Sequence, residues 1–230
     1  MEISERLKFI IKNVENTEVL ADIGTDHGYI PIYAIQNKIA NKVIACDINK
    51  EPLDKAKLNS ILEEVDENIE FRLGSGLKVL HKKEANVAII AGMGGNLIRD
   101  ILEENVEKVK ELDYLILQPA QNPEVLREYL YSNEYEVIKE DLCYEENKYY
   151  ELFKVRKKDG ENIKIDSIYY EISPRFLISR HPLLKGYLEM KLENYNKINN
   201  IIKEDTINAI ERKKTIDEKI EFIKNTINIL

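Results

Sequence analysis

The run Asp22-Ile23-Gly24-Thr25-Asp26-His27-Gly28-Tyr29-Ile30-Pro31 limits what this chain can fold into more than any other stretch. It follows the apolar Val19-Leu20-Ala21 and precedes an apolar-rich segment over residues 32–39. That order reads as a strand, a tight glycine turn and a helix that tolerates Pro31 in its first turn. Such a unit opens the nucleotide pocket of a doubly wound α/β domain, at the end of its first strand. The turn carries two carboxylates, Asp22 and Asp26, and no Lys or Arg.

The alternation continues along the chain. Residues 18–23, 42–47, 69–73, 85–91 and 114–117 read as strands, and residues 85–91 have the apolar character of the buried centre of a parallel sheet. Residues 4–14, 29–39, 52–65, 77–81, 96–110 and 123–132 read as helices, the first behind a Ser4 cap. Residues 135–144 and 149–155 then form two strand-like stretches around the polar turn Glu145-Glu146-Asn147-Lys148, a hairpin. Five βα units closed by an antiparallel hairpin predict an α/β fold with a Rossmann-like seven-stranded sheet, the layout of the methyltransferase sheet.

The remainder has a different character. Residues 157–174 are polar and connect two parts, and no glycine follows Gly186. Ile216, Ile220, Ile223, Ile227 and Leu230 recur at helical spacing, as do Leu184, Leu188, Leu192 and Tyr195, so two helices broken near residues 203–205 are expected to pair as an antiparallel hairpin. The expected domains are therefore residues 1–160, a cofactor-binding domain, and residues 161–230, a helical appendage. A chain of 230 residues with 43% hydrophobic side chains is long enough for both. Its net charge of −8 is uneven: −9 over residues 1–160 and +1 over residues 161–230. A polyanion would be held by local patches such as Arg175, Arg180 and Lys185 rather than by the overall field.

The motifs narrow the cofactor. Asp26 would repel a dinucleotide diphosphate, and the third glycine of Gly-x-Gly-x-x-Gly is missing, so a dehydrogenase is disfavoured. A cofactor with a cationic sulfonium, S-adenosylmethionine (SAM), suits the two carboxylates. Asp47 ends the second strand, where a carboxylate accepts both ribose hydroxyls. Gly24 and Gly28 let the backbone approach a ligand, and Asp22 anchors the turn or meets the cofactor's amino group. Ser75 and Gly76, at the end of the third strand, face the adenine. Ala91, Gly92 and Met93 complete the cofactor set with His27, and the glycine loop through Gly94 and Gly95 lets a flat base lie close to the transferring methyl.

The target follows in part from what is missing. No Asn/Asp-Pro-Pro-aromatic motif follows the fourth strand, which disfavours methylation of exocyclic amines, and neither Cys46 nor Cys143 is set up as a nucleophile for pyrimidine C5 chemistry. Adenine N1 already offers a lone pair and needs alignment more than deprotonation. Asp26 is suited to bind the adenine N6 amine and stabilise the cationic product, and Tyr29 to stack on the base. Each has a plainer alternative: Asp26 as a helix cap, Tyr29 as buried packing, His27 as a structural turn residue. His81 and His181 are isolated, and no Cys/His cluster suggests a metal. No membrane span or signal peptide is visible, and two cysteines fit a reducing cytoplasm.

With these residues in place, the sequence resembles the bacterial TrmK family of tRNA (adenine-N1)-methyltransferases, which act on the adenine at position 22. The likeness rests on residues 22–31, Ile90-Ala91-Gly92-Met93-Gly94-Gly95 and Leu115-Ile116-Leu117-Gln118-Pro119. Leu126-Arg127-Glu128-Tyr129-Leu130-Tyr131, Lys148-Tyr149-Tyr150-Glu151 and Pro174-Arg175-Phe176-Leu177 extend it over nearly the whole chain. The resemblance implies a class I SAM-dependent methyltransferase domain, a C-terminal α-helical coiled-coil-like domain, and tRNA as partner, with Asp26 and Tyr29 beside the methyl. Gly94, Gly95, Gln118, Arg175 and Arg180 are the expected substrate contacts. Ser75 stands where family members often carry Asp, and Ala120 where Asn is common. A SAM enzyme acting on a protein or small molecule, and a SAM- or RNA-binding module without turnover, are the competing readings; the oligomeric state is open, with a monomer slightly favoured.

Overall fold

Seven strands form one sheet in the order β3-β2-β1-β4-β5-β7-β6, seen in a computed structural model that describes residues 1–158, 165–203 and 206–230. The strands are β1 (Thr17–Ile23), β2 (Ala40–Asp47), β3 (Ile69–Leu73), β4 (Val87–Gly94), β5 (Tyr114–Gln121), β6 (Tyr135–Glu145) and β7 (Lys148–Lys157). The helices between them are α1 (Glu5–Lys12), α2 (Tyr29–Gln36), α3 (Lys50–Leu62), α4 (Gly95–Glu104), α5 (Val106–Val109) and α6 (Pro123–Ser132). β1 to β5 pair in parallel, and β7 runs antiparallel to both β5 and β6. The chain moves outward from β1 to β3 and then crosses back to β4, so β1 and β4 flank the switch point at which such sheets bind ligands.

Burial explains the central strands. Leu20 and Ala21 of β1, Val43 to Cys46 of β2, Ala88 to Ile90 of β4 and Leu115 to Leu117 of β5 lie in the core with almost no exposed surface. Continuous apolar runs of this kind are what a sheet covered on both faces requires. The Ser4 hydroxyl caps α1 by accepting from Leu7 N at 3.3 Å, and Pro123 occupies the first turn of α6. Glu146 and Asn147 both take left-handed backbone (φ 49° and 62°) between β6 and β7, as a two-residue hairpin turn demands.

Several boundaries differ from the sequence-based expectation. The fourth strand starts at Val87 because Asn86 acts as a clasp: its Oδ1 accepts from Val19 N at 3.1 Å and its carbonyl from Asp113 N at 2.8 Å. The expected helix over 96–110 is two helices, parted at Asn105, whose side chain donates back to Ile101 O at 2.8 Å. A 3₁₀ turn over Gly76–Val79 replaces the short helix expected at 77–81. β4 runs on through Gly92 and Met93 where a turn is expected, and β5 runs on through Pro119.

The hairpin is tied to α6 by charge. Arg127, fully buried on α6, donates from Nε to Glu140 Oε2 at 2.8 Å and pairs with Glu151, while its guanidinium lies 4.9 Å from the Phe153 ring centroid. All three ionic groups are within the core.

The chain divides into two compact units, Met1–Ile165 and Asp166–Leu230. The expected boundary at 160/161 lies outside the described residues. The second unit contains α7 (Ile168–Glu171), α8 (Pro174–Ser179), α9 (Leu184–Ile201) and α10 (Ile207–Ile229). Asn199 donates to Asp217 at 2.7 Å and Lys219 to the Tyr195 hydroxyl at 3.4 Å. Those pairings descend on α10 as they rise on α9, so the two helices are antiparallel. Part of the expected break at 203–205 lies outside the described residues. Leu184, Leu188, Ile216, Ile220 and Ile223 form the buried seam, whereas Leu230 is exposed. Glu171 sits at the centre, bonded to Lys191 and, at 2.8 Å, to Lys219.

Candidate active site

The C-terminal ends of β1, β2, β3 and β4 converge on a cavity of about 860 Å³, closed on one side by the segment leading into α1. The turn after β1 is pinned to its neighbour: Gly24 N and Thr25 N both donate to Cys46 O at 2.8 Å, and Gly28 N returns to Thr25 O at 2.9 Å. Gly24, Asp26 and Gly28 all have left-handed backbone (φ 82°, 49° and 76°). For Asp26 that conformation is strained, which is a mark of functional turns.

Asp22, Gly24, Asp26, Tyr29, Asp47, Ser75, Gly76, Ala91, Gly92 and Met93 all line the cavity. The Asp26 side chain is 70% exposed, with Oδ1 3.7 Å from His27 Nε2. It caps nothing, because the N-cap of α2 is Gly28 and no side chain makes a cap bond there. Tyr29 is exposed at 38%, not packed in the core. Asp47 accepts from Asn49 N at 2.8 Å, which orients its carboxylate at the strand end. Asp22 is 3% exposed, and burial pushes its carboxyl up to about 7. The Thr25 hydroxyl beside it lowers that value and the Asp47 carboxylate raises it.

Seven expected site residues do not line the cavity. The His27 ring leaves the cavity for the Tyr29 ring, 5.6 Å away between centroids, and its carbonyl accepts from Asn59 at 3.0 Å. Gly28 does not line the cavity; a Cβ there would lie 3.0 Å from Ala56 Cβ, so it lets α3 pack against the turn. Gly95 is likewise a packing glycine, since a Cβ would fall 2.1 Å from Asn122 O. Gly94 is open, with nothing within 4 Å of an added Cβ, but it does not line the cavity. Gln118 is fully buried, donating to Pro119 O at 2.7 Å and accepting from Arg6 Nη1 at 2.6 Å. Arg175 and Arg180 are exposed in and beside α8, in the second unit.

Sequence reasoning missed Arg6, Thr25, Ile48 and Leu97, all cavity-lining. Ile48, directly after Asp47, and Leu97, on α4, are large apolar side chains at 66% and 51% exposure that line the same cavity as Ser75 and Gly76. Apolar side chains in the lining of a pocket suit a flat heterocycle. Their position one residue after a strand-end acid was a usable signal for Ile48; nothing in the sequence marked Arg6.

SAM fits this arrangement. Gly24 lines the cavity with φ 82°, a backbone conformation in which a side chain is strained, and a Cβ there would also press on the Met93 methyl, so glycine suits this close approach. Asp47 and the apolar lining would hold the adenosine, and the Asp22–Asp26 turn the cationic part. Among the described residues, no group of His, Cys, Asp and Glu gathers in a way that could hold a metal ion, and no helix is long and apolar enough to cross a membrane.

The profile of the methyltransferase domain family matches residues 3–153. The chain is 38% identical over 161 residues to the tRNA (adenine(22)-N(1))-methyltransferase of Bacillus subtilis, covering 70% of this chain and 68% of that one. The crystal structure of the B. subtilis m1A22 tRNA methyltransferase TrmK superposes with a TM-score of 0.86 at 31% identity, covering 98% of this chain and 99% of that one. Mycoplasma capricolum TrmK, in complex with the cofactor product S-adenosylhomocysteine (SAH), superposes at 0.82 with 28% identity, covering 99% and 100%. With the sheet order, the glycine turn and these relatives in agreement, the chain belongs to the methyltransferase domain family and, within it, to the TrmK tRNA (adenine(22)-N1)-methyltransferases.

Proposed function

We propose that this protein transfers a methyl group from SAM to N1 of the adenine at position 22 of tRNA. One observation carries the mechanism: Asp26 and Tyr29, both exposed, line the cavity formed at the glycine turn by the switch point. Bound SAM supplies an electrophilic methyl on a sulfonium. Asp47 holds the ribose hydroxyls, Ser75 and Gly76 border the adenine, and Ile48 and Leu97 cover its faces. Asp22 and Thr25 serve the amino end.

The target adenine leaves its stack to reach the cavity. Tyr29 stacks on it, and the Asp26 carboxylate accepts from the N6 amine, which aims N1 at the methyl and favours the positive charge the ring acquires. N1 has a free lone pair, so orientation contributes much of the rate and no general base is required beforehand. The strained Asp26 backbone fits a carboxylate fixed for one direction of approach.

The second unit is suited to the tRNA body. Arg175 and Arg180 are exposed in and just after α8, where they can grip phosphates without reading bases. A tRNA substrate puts the reaction in the cytoplasm.

The test is methyl transfer from labelled SAM to unmodified tRNA, with the product nucleoside identified by mass spectrometry. 1-Methyladenosine at position 22 is expected. Cofactor binding with no labelled tRNA would refute the substrate while leaving the fold intact. The paired change Arg175→Glu with Arg180→Glu is expected to weaken tRNA binding about tenfold or more, and unchanged binding would remove the second unit from the reading.

A further inference from the structure

Arg6 is the single Lys or Arg among the residues lining the cavity, and it stands out among the acids Glu2, Asp22, Asp26 and Asp47. None of them pairs with it, nor does any other carboxylate among the described residues. Its Nη1 donates instead to the neutral Oε1 of Gln118 at 2.6 Å. Gln118 is itself fully buried, and its amide nitrogen is spent on Pro119 O at 2.7 Å, so the oxygen offered to Arg6 cannot turn away. On another side, the guanidinium carbon lies 5.6 Å from the centroid of the Tyr150 ring. A Cβ built on Gly92 would lie 3.8 Å from Nη1, which places the guanidinium beside the C-terminal end of β4.

A neutral amide and an aromatic face orient a guanidinium without neutralising it. Five N–H donors leave four after Gln118, and a half-buried cation without a counter-ion is costly unless an anion arrives. We infer that Arg6 is an oxyanion-binding residue of the reaction site, held in place by Gln118, and that its ligand is a carboxylate or phosphate entering beside Gly92. Two oxyanions come to this site under the methyltransferase reading, on which the inference rests: the α-carboxylate of the cofactor and a phosphate of the flipped nucleotide. Gln118 is a positioning residue that acts through Arg6.

The experiment uses the full chain with Arg6→Gln, read by titration with SAH, with 5′-methylthioadenosine, which keeps the adenosyl thioether but has no carboxylate, and with unmodified tRNA over a salt series. If the cofactor carboxylate is the ligand, Arg6→Gln loses at least tenfold in SAH affinity and leaves 5′-methylthioadenosine within twofold. If a tRNA phosphate is the ligand, both small molecules bind as before, and the slope of log affinity against log salt falls by about one. Gln118→Leu is expected to reproduce part of whichever loss appears, and to add nothing in the Arg6→Gln background. Unchanged binding of all three ligands, or equal loss of all three, would overturn the inference. Binding of SAH and 5′-methylthioadenosine reads Arg6 even if wild-type protein methylates no tRNA, so failure of the functional reading stays separate.

Discussion

Asp22, at the end of β1, is buried within electrostatic reach of Asp47, at the end of β2, and the Asp47 carboxylate opposes the ionisation of Asp22. Burial is the larger effect, and together they bring Asp22 to about 7 from an ordinary 3.8. In the unfolded chain Asp22 is ionised by about pH 5, while the folded protein keeps the proton until about pH 7. Its contribution to stability is therefore present in acid and is lost as pH rises through 7. Asp22→Asn is expected to abolish that loss, so the melting temperature of wild type falls relative to the variant between pH 5 and pH 8. If the ionised form meets the cofactor's ammonium, SAH affinity rises about tenfold from pH 6 to pH 8 in wild type. The same titration of Asp22→Asn should be flat, and a matching slope in both proteins would assign the dependence elsewhere.

Two adjacent glycines separate packing from binding. Gly94 has open space where a Cβ would go and ordinary backbone (φ −68°), whereas a Cβ on Gly95 would meet Asn122 O at 2.1 Å. Gly94→Ala should melt within a few degrees of wild type. Gly95→Ala must push α4 off the turn before α6, a backbone clash that costs about 3 kcal/mol or more. Thermal unfolding of the pair decides it, and similar melting temperatures would contradict the geometry.

Arg127 offers a second stability test. Its guanidinium is fully buried against two carboxylates, Glu140 and Glu151. Arg127→Met leaves both without their cation in the core, with an expected cost of about 3–5 kcal/mol. Chemical denaturation should show a lower midpoint. A loss under about 1 kcal/mol would mean that the two acids take up protons at little cost.

The second unit has its own titration. Burial raises the Glu171 carboxyl, but Lys191 and Lys219 outweigh it and hold the group down to about 2. The resulting stability is present above the ordinary carboxylate value and is lost as pH falls through about 2. Glu171→Gln should therefore cost about 2 kcal/mol at pH 7 and much less at pH 2, read from helical circular dichroism on heating. Equal losses at both values would show that the lysines do not depend on this charge.

The sheet and most site positions were legible because period and punctuation carry them. Residues 22–31 announced the turn, Asp47 the strand end, and the helical spacing of Ile216, Ile220 and Ile223 the α9–α10 seam. What stayed hidden depends on partners distant in sequence. Gly24 and Gly28 look alike in the chain, yet one cradles a ligand space and the other admits Ala56 of α3. Gln118, expected as a base contact, is buried and accepts from Arg6, 112 positions away, a pairing that no local pattern marks. The ion cluster of Arg127, Glu140 and Glu151 has the same origin, since a charged residue gives no sign in its own sequence that the core will enclose it.

Asp26 is the most direct test of the chemistry. Its carboxylate is exposed, caps no helix and lies on strained backbone in the lining of the cavity. Asp26→Asn keeps the shape and the hydrogen-bonding reach but removes the charge. Because the side chain touches little else, the fold and SAH affinity should stay within a few-fold of wild type. The methyl-transfer rate at saturating tRNA and SAM should fall roughly 100-fold, the scale of losing one electrostatic contact to a developing charge. Single-turnover rates are the measurement, since they exclude product release. A rate within threefold of wild type would mean that Asp26 neither orients the base nor stabilises the methylated ring, and would shift the catalytic role to Tyr29 and the cofactor's own reactivity.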